Sequence, residues 1–186
     1  MAARKIVIAG HGMVGHKMAQ PLAAGAADGR WQVTVIGEEP RPAYDRVHLS
    51  EYFSGTSAEE LSLVEAGFFD QPGLRLTCNT AVTAIDREAR TVTLSDGRQL
   101  PYDDLVLATG SYPFVPPIPG KDHPACLVYR TNEDLDAIRA AATSARRGVV
   151  VGGGLLGLEA AKALRDLGLE THVVEFAPRL MAVQID

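Results

Sequence analysis

The stretch "VVVGGGLLGLEAAKALRDLGLETHVVEF", Val149 to Phe176, decides the fold. A β-branched run meets three glycines, then apolar residues at helical spacing, then Gly168 and a second β-rich run that ends on Glu175. Strand, glycine turn, helix and strand in that order make a βαβ unit. The chain has opened one such unit already, at "KIVIAGHGMVGHKMAQ", Lys5 to Gln20. There Lys5 to Ala9 reads as a strand, Met13 to Ala24 as a helix, and Gln32 to Ile36 as the second strand. Pro21 lacks a backbone donor and costs about 3 kcal/mol inside a helix, so a kink or early end is predicted there.

Between the two units the pattern changes. Residues 37–73 are irregular and proline-broken, with a capping-box pattern at Ser57 and Glu60. Leu74 to Cys78, Ala81 to Asp86 and Thr91 to Leu94 are short β-rich runs; Asp96-Gly97 supplies a turn, and Leu105 to Ala108 reads as a buried strand. "SYPFVPPIPGKDHP" holds five prolines and makes a natural linker. Beyond it a strand at Leu127 to Tyr129 and a helix from about Asn132 to Ala145 lead into Val149 to Val151, a helix from Leu155 to Leu167, and a strand at Thr171 to Glu175. The fold class is α/β, a Rossmann-like arrangement of two dinucleotide-binding units, the first carrying a β-meander and the second incomplete. The predicted division is 1–115 and 116–186.

Bulk composition narrows the partners. A formal charge of -5 without any long basic run argues against nucleic acid or an anionic membrane surface. No stretch approaches the roughly 20 apolar residues that span a bilayer, and the start is neither a secretory nor a transit sequence, so the expected location is cytoplasmic. Cys78 and Cys126 have no C-x-x-C partner and read as small buried hydrophobes. His11, His16, His48, His123 and His172 lack ligand spacing and read as loop or surface polar groups; no metal site is indicated.

Gly10-His11-Gly12-Met13-Val14-Gly15 and Gly152-Gly153-Gly154-Leu155-Leu156-Gly157 both fit G-x-G-x-x-G. The first glycine permits a tight turn, the second lets the backbone approach a pyrophosphate, and the third lets the helix press on its strand. Free NH groups at the helix start then face the anion, aided by the helix dipole. Three glycines also occur where helix and strand merely pack closely, but both copies follow a strand, open a helix and precede a strand-end acid. That acid is Glu38 or Glu39 in the first unit and Glu175 in the second. A carboxylate there accepts ribose hydroxyls and repels a 2'-phosphate, which favours NADH over NADPH.

The residues "GHGMVGHK", "EEPRPAYDRVHLSEYFSG", "EELSLV", "DDLVLATGSYPFVPPIPG", "VYRTNEDLDAI" and "GGGLLGLEAAKALRDLGLETHVVEFAPRLM" cover nearly the whole chain. On them it resembles the N-terminal part of the large subunit of NAD(P)H-dependent assimilatory nitrite reductases, whose flavin module is similar to rubredoxin and ferredoxin reductases. The resemblance implies FAD on the first unit: pyrophosphate at Gly10, Gly12, Met13, Val14 and Gly15, ribose at Glu38 or Glu39, and a flavin-side contact from Arg46. It also implies an adenine contact at Val82, with Ala108, Thr109 and Gly110 passing beside the FAD. NADH is implied on Gly152, Gly154, Leu155, Leu156 and Gly157, with Glu175 on the ribose and Glu159 towards the nicotinamide. No catalytic side chain is nominated, because hydride transfer needs stacked rings rather than a protein acid or base.

Arg46-Val47-His48-Leu49-Ser50-Glu51 stands where many single-purpose ferredoxin reductases read Arg-Pro-Pro-Leu-Ser-Lys, which argues for the nitrite reductase branch. The resemblance further implies that iron-sulfur and sirohaem domains lie downstream in a full-length chain. The 186 residues are expected to be a fragment whose open sheet edges favour self-association. The alternatives are a truncated NADH-dependent rubredoxin or ferredoxin reductase and a nucleotide-binding module without turnover.

Overall fold

The computed structural model describes residues 2–182. Two compact units emerge: the chain up to Asp45 with Ser62–Ser111, and Arg46–Leu61 with the chain from Tyr112 onward. Residues 46–61, grouped by sequence with 1–115, thus make their contacts in the second unit.

The first unit is built on a four-stranded parallel sheet in the order β3-β2-β1-β7, where β1 is Arg4–Ala9, β2 Trp31–Ile36, β3 Leu74–Thr77 and β7 Asp104–Leu107. Alternation along β1 sorts its side chains between two layers. Ile6 and Ile8 join Val33, Val35 and Leu74 beneath helix α1, Met13–Ala27, meeting its Ala19, Ala23 and Ala26. Val7 turns the other way, with Ile36, onto Val92 and Leu94 of an antiparallel meander. That meander is β4 (Val82–Asp86), β5 (Thr91–Leu94) and β6 (Gln99–Pro101), with Gly97 at φ 85° closing the expected Asp-Gly turn. Each fully buried aliphatic in these layers contributes on the order of 1.5–3 kcal/mol.

Of the kink or early end expected at Pro21, the early end does not occur: helix α1 continues to Ala27. Pro21 and Lys17, whose carbonyl loses its donor, both lie on the exposed side, where water can replace the missing bond. The small residues on the other side bind the helix to the sheet over its whole length, and this packing outweighs the local penalty.

In the second unit β8 (Arg147–Val151) pairs in parallel with β9 (Glu170–Val174), and α3 (Leu155–Asp166) covers one face. On the other face Val149, Val151 and Val174 remain exposed. Helix α2, Asn132–Ala142, carries a capping box that the sequence reading missed: the Thr131 hydroxyl accepts from the Asp134 amide at 3.2 Å and the Asp134 carboxylate from the Thr131 amide at 2.8 Å. The box at Ser57 and Glu60 also forms, yet opens only turns. Leu127 to Tyr129 is not a strand; it lies in irregular chain, and Phe53 stacks on Tyr129 at 6.3 Å. Residues 46–61 are tied to α2 by Tyr52, whose hydroxyl donates to Asp136 at 2.6 Å, and by Arg139, which donates to the Tyr52 carbonyl at 2.7 Å.

Gly25 faces the Trp31 indole so closely that a Cβ would overlap its Nε1 and Cδ1 atoms. Gly25→Ala, which raises intrinsic helix propensity by about 1 kcal/mol, is therefore expected to destabilise the chain by about 1–3 kcal/mol through overpacking. Urea unfolding followed by circular dichroism measures the sign; a stabilised variant contradicts the packing described.

Candidate functional site

The two glycine turns have the same construction. Gly10 takes φ 108° and Gly152 takes φ 114°, a left-handed region that favours glycine. The amide of each first glycine donates to the carbonyl that ends the neighbouring strand, Ile36 and Val174, both at 2.8 Å. A Cβ on Gly15 would overlap the Gly10 carbonyl, and a Cβ on Gly157 would overlap the Gly152 carbonyl. Each third glycine therefore lets its helix start directly over the strand end.

The middle glycines differ from these. Gly12 and Gly154 have ordinary extended backbone, φ -90° and -79°, and a Cβ on either meets nothing within 4 Å. They are the N-caps of α1 and α3, and neither helix has a side-chain cap or an acid in its first turn. Helix α2 satisfies its own start with Thr131 and Asp134, whereas α1 and α3 start on glycine and leave their first amides, from Met13 and from Leu155, without an intrahelical partner. Uncapped amides, the positive end of the helix dipole and open space over a glycine suit an anion that brings its own oxygens. Apolar Val14, Leu155 and Leu156 are exposed around these starts.

The remaining predicted residues fall as follows. Val82 and Thr109 come together with Ala9 and Leu107 along an open cleft of about 240 Å³ in the first unit. Ala108 donates its amide to Ala9 at 2.7 Å, and Gly110 takes φ 72°. Glu39 is bonded by the Tyr44 hydroxyl at 2.7 Å, while Glu38 is exposed beside it. Arg46 lies in the second unit and donates to the Arg130 carbonyl at 3.2 Å. Glu159, on α3, acts electrostatically on Tyr129, whose hydroxyl is pushed up to about 12, by burial first and by that carboxylate second. The Glu175 carboxylate accepts from the Ala177 amide at 2.7 Å and from the Gly153 amide at 2.5 Å, which hold it below the usual carboxylate range.

The expectation that every histidine is a loop or surface group fails at His16, which lies in α1 and is only 4% exposed; His11 lies in the loop, yet it too is buried, 8% exposed. The His11 ring packs on Phe69 at 5.1 Å, and the His16 ring packs on Phe68 at 5.1 Å and on Phe69 at 6.5 Å. The His11 Nδ1 accepts from the Ala43 amide at 3.2 Å. Phe68-Phe69 at the end of the irregular segment was the available signal, since two adjacent aromatics there need a buried surface to cover. Cys126 is likewise exposed rather than buried, because the segment around it has no strand to carry it inward; Cys78 is partly buried and its thiol is pushed up by burial.

Residues 4–186 match the family model described as "Pyridine nucleotide-disulphide oxidoreductase". The chain belongs to that family. It is 59% identical over 181 residues to "Nitrite reductase [NAD(P)H] large subunit" of Klebsiella oxytoca, an alignment covering 97% of this chain and 19% of that protein. It is 52% identical over 186 residues to "Nitrite reductase (NADH) large subunit" of Escherichia coli (strain K12), covering 100% of this chain and 22% of that one. The chain thus spans about a fifth of the length of these relatives. Among solved structures, the covalent putidaredoxin reductase–putidaredoxin complex aligns with a TM-score of 0.83 and 33% identity over 97% of this chain and 44% of the matched one. The Rossmann-like α/β fold of the family, with its parallel sheet and small antiparallel sheet, is the one expected from the sequence.

His11 stays neutral in the fold, its pKa pushed down to about 4 by burial first and by His16 second. An unfolded histidine titrates near 6.5, so between about pH 6.5 and 4 the unfolded chain takes up a proton that the folded chain refuses. The stability contribution is complete above that window and is lost as pH falls through it. Unfolding free energy is expected to drop by about 2 kcal/mol more between pH 7 and pH 5 in the parent than in His11→Asn, read by urea titration at both pH values. Equal slopes in the two proteins contradict the assignment.

Proposed function

We propose that the chain is the electron-input module of a nitrite-reducing enzyme, binding FAD on the first glycine turn and NADH on the second so that hydride passes from nicotinamide to flavin. The observation that carries this reading is the pair of uncapped helix starts over open glycines, together with identity to nitrite reductase large subunits along almost the whole chain. Flavin and nicotinamide supply the redox chemistry when bound; the chain binds and orients them.

On this reading Gly10, Gly12, Met13, Val14 and Gly15 present the first-turn amides to the FAD pyrophosphate. Glu38 or Glu39 accepts the ribose hydroxyls. Val82 borders the adenine, Ala108 to Gly110 run alongside, and Arg46 serves the flavin side. In the second unit Gly152, Gly154, Leu155, Leu156 and Gly157 cradle the NADH pyrophosphate, Glu159 lies towards the nicotinamide and Glu175 receives the ribose. The carboxylate of Glu175 disfavours a 2'-phosphate, so NADH is the donor rather than NADPH. Nitrite reduction itself belongs to iron-sulfur and sirohaem domains of the longer enzyme, and a ferredoxin-type acceptor is the competing assignment for the electrons.

The test is the visible spectrum of the purified chain, reconstituted with FAD and titrated with NADH without oxygen. A flavin band bleached by NADH is the expected result; a colourless protein inert to NADH defeats the reading. Gly12→Ala and Gly154→Ala separate the two sites, since the backbone at both positions accepts alanine and the added methyl enters only the open space. Each is expected to keep the parent melting temperature, with Gly12→Ala weakening FAD and Gly154→Ala weakening NADH by about tenfold or more, about 1.4 kcal/mol. Loss of both ligands in either variant contradicts the separate assignment.

A further inference from the structure

The two units exchange one side chain between two places. In the second unit the residue after the first glycine of the turn is Gly153 and the residue after the strand is Glu175; in the first unit the equivalent places hold His11 and Gly37. Strand register fixes the equivalence, because Ala9 pairs with Ile36 and Val151 with Val174, one residue before Gly37 and Glu175 respectively. The two places crowd each other in both turns. A Cβ on Gly37 would lie 3.0 Å from the His11 Cβ, and a Cβ on Gly153 would lie 3.1 Å from the Glu175 Cβ and would overlap the Leu180 Cδ2 as well.

We propose that His11 is a positioning residue of the first dinucleotide site: its side chain crowds the place that follows the strand, and its imidazole holds, through the Ala43 amide, the arm bearing Glu38 and Glu39. The inference rests on the FAD reading of that site and adds to it the reason why the ribose acid is not the residue that ends the strand. A side chain at position 37 would crowd His11, and the carboxylates are carried by the arm that follows.

The arm is anchored at several points. The Gly37 amide donates to Thr77 at 2.8 Å, and its carbonyl accepts from Thr80 at 2.9 Å. The Glu39 carbonyl accepts from Asn79 at 3.0 Å, and the Ala43 carbonyl accepts from Leu63 at 2.9 Å. These bonds lead to other segments. The bond from the Ala43 amide to the His11 Nδ1, 3.2 Å, leads to the glycine turn itself. Ala43 is 1% exposed, so its amide without that acceptor becomes a buried donor lacking a partner, which is costly. Accepting at Nδ1 places the ring proton on Nε2 of the neutral imidazole. The Phe69 ring at 5.1 Å and the His16 ring at 5.8 Å, both edge-on, fix the plane of the ring.

Three variants of the 186-residue chain test this. Asn at position 11 offers its amide oxygen close to the Nδ1 place, Gln carries it further out, and Leu offers none. The readouts are hydrogen exchange at the Ala43 amide and an FAD titration followed by flavin fluorescence, with NADH titrated as a control on the second turn. His11→Asn is expected to keep Ala43 protection and FAD affinity within about threefold of the parent. His11→Leu is expected to lose that protection and to bind FAD about tenfold more weakly, with NADH unchanged. Should His11→Leu fail to fold, the contrast of Asn with Gln takes its place, Gln following the pattern given for Leu. Leu or Gln matching the parent in both readouts overturns the proposal, as does Asn failing alongside them. A parent that binds no FAD defeats the cofactor reading, and Ala43 exchange then still decides whether His11 holds the arm.

Discussion

One close contact, made twice, governs the molecule: the third glycine of each turn lies against the carbonyl of the first, Gly15 on Gly10 and Gly157 on Gly152. With a side chain at either place the helix would have to lift away from the strand end. Because it does not lift, the first turn of α1 and of α3 begins where the strand stops, and its amides open onto the carboxyl end of the sheet. A serine or aspartate at the N-cap would satisfy those amides from within, as Thr131 and Asp134 do for α2. Glycine at Gly12 and Gly154 leaves those amides uncapped. The opening at each turn is therefore created by what the sequence omits, first a Cβ at the third glycine and then a cap at the second.

Most of this was legible because its signals are local. Both glycine turns, the β-rich runs of the meander, the Asp96-Gly97 hairpin and the ends of α3 depend on residue type at fixed spacing, and the structure follows them within a residue or two. The departures arise where distant residues decide. Pro21 argues against a helix interior only until Ala19, Ala23 and Ala26 are seen to pack along the sheet. Leu127 to Tyr129 is β-prone by composition, yet Tyr129 is taken up in stacking with Phe53, far away in the sequence. His11 and His16 look like polar residues of a turn and a helix. Phe68 and Phe69, more than fifty residues later, bury them.

The site residues show the same division. Glycines of the turns could be named from their motif, since backbone geometry is the whole of their role. The acid of the first unit could not be fixed between Glu38 and Glu39, because the strand-end place belongs to Gly37 and the choice depends on how the arm to Tyr44 folds. That fold follows from the Tyr44 hydroxyl on Glu39 and from main-chain bonds to Asn79 and Leu63, none of which has a spacing rule.

The exchange of His11 and Gly37 for Gly153 and Glu175 also makes the two turns chemically unequal. In the second, a carboxylate bonds an amide of the turn at 2.5 Å, so the turn carries a negative charge and an acceptor already in use beside its uncapped helix start. In the first, the residue after the first glycine carries an imidazole kept neutral by burial, and the carboxylates sit further along an arm tied down at several points. An anion entering the first turn meets no charge of its own sign at that place and displaces no internal bond to the carboxylate. On the proposed assignment, this is the difference required between a cofactor that is retained and a donor that must leave after each turnover, built on a backbone that is otherwise the same.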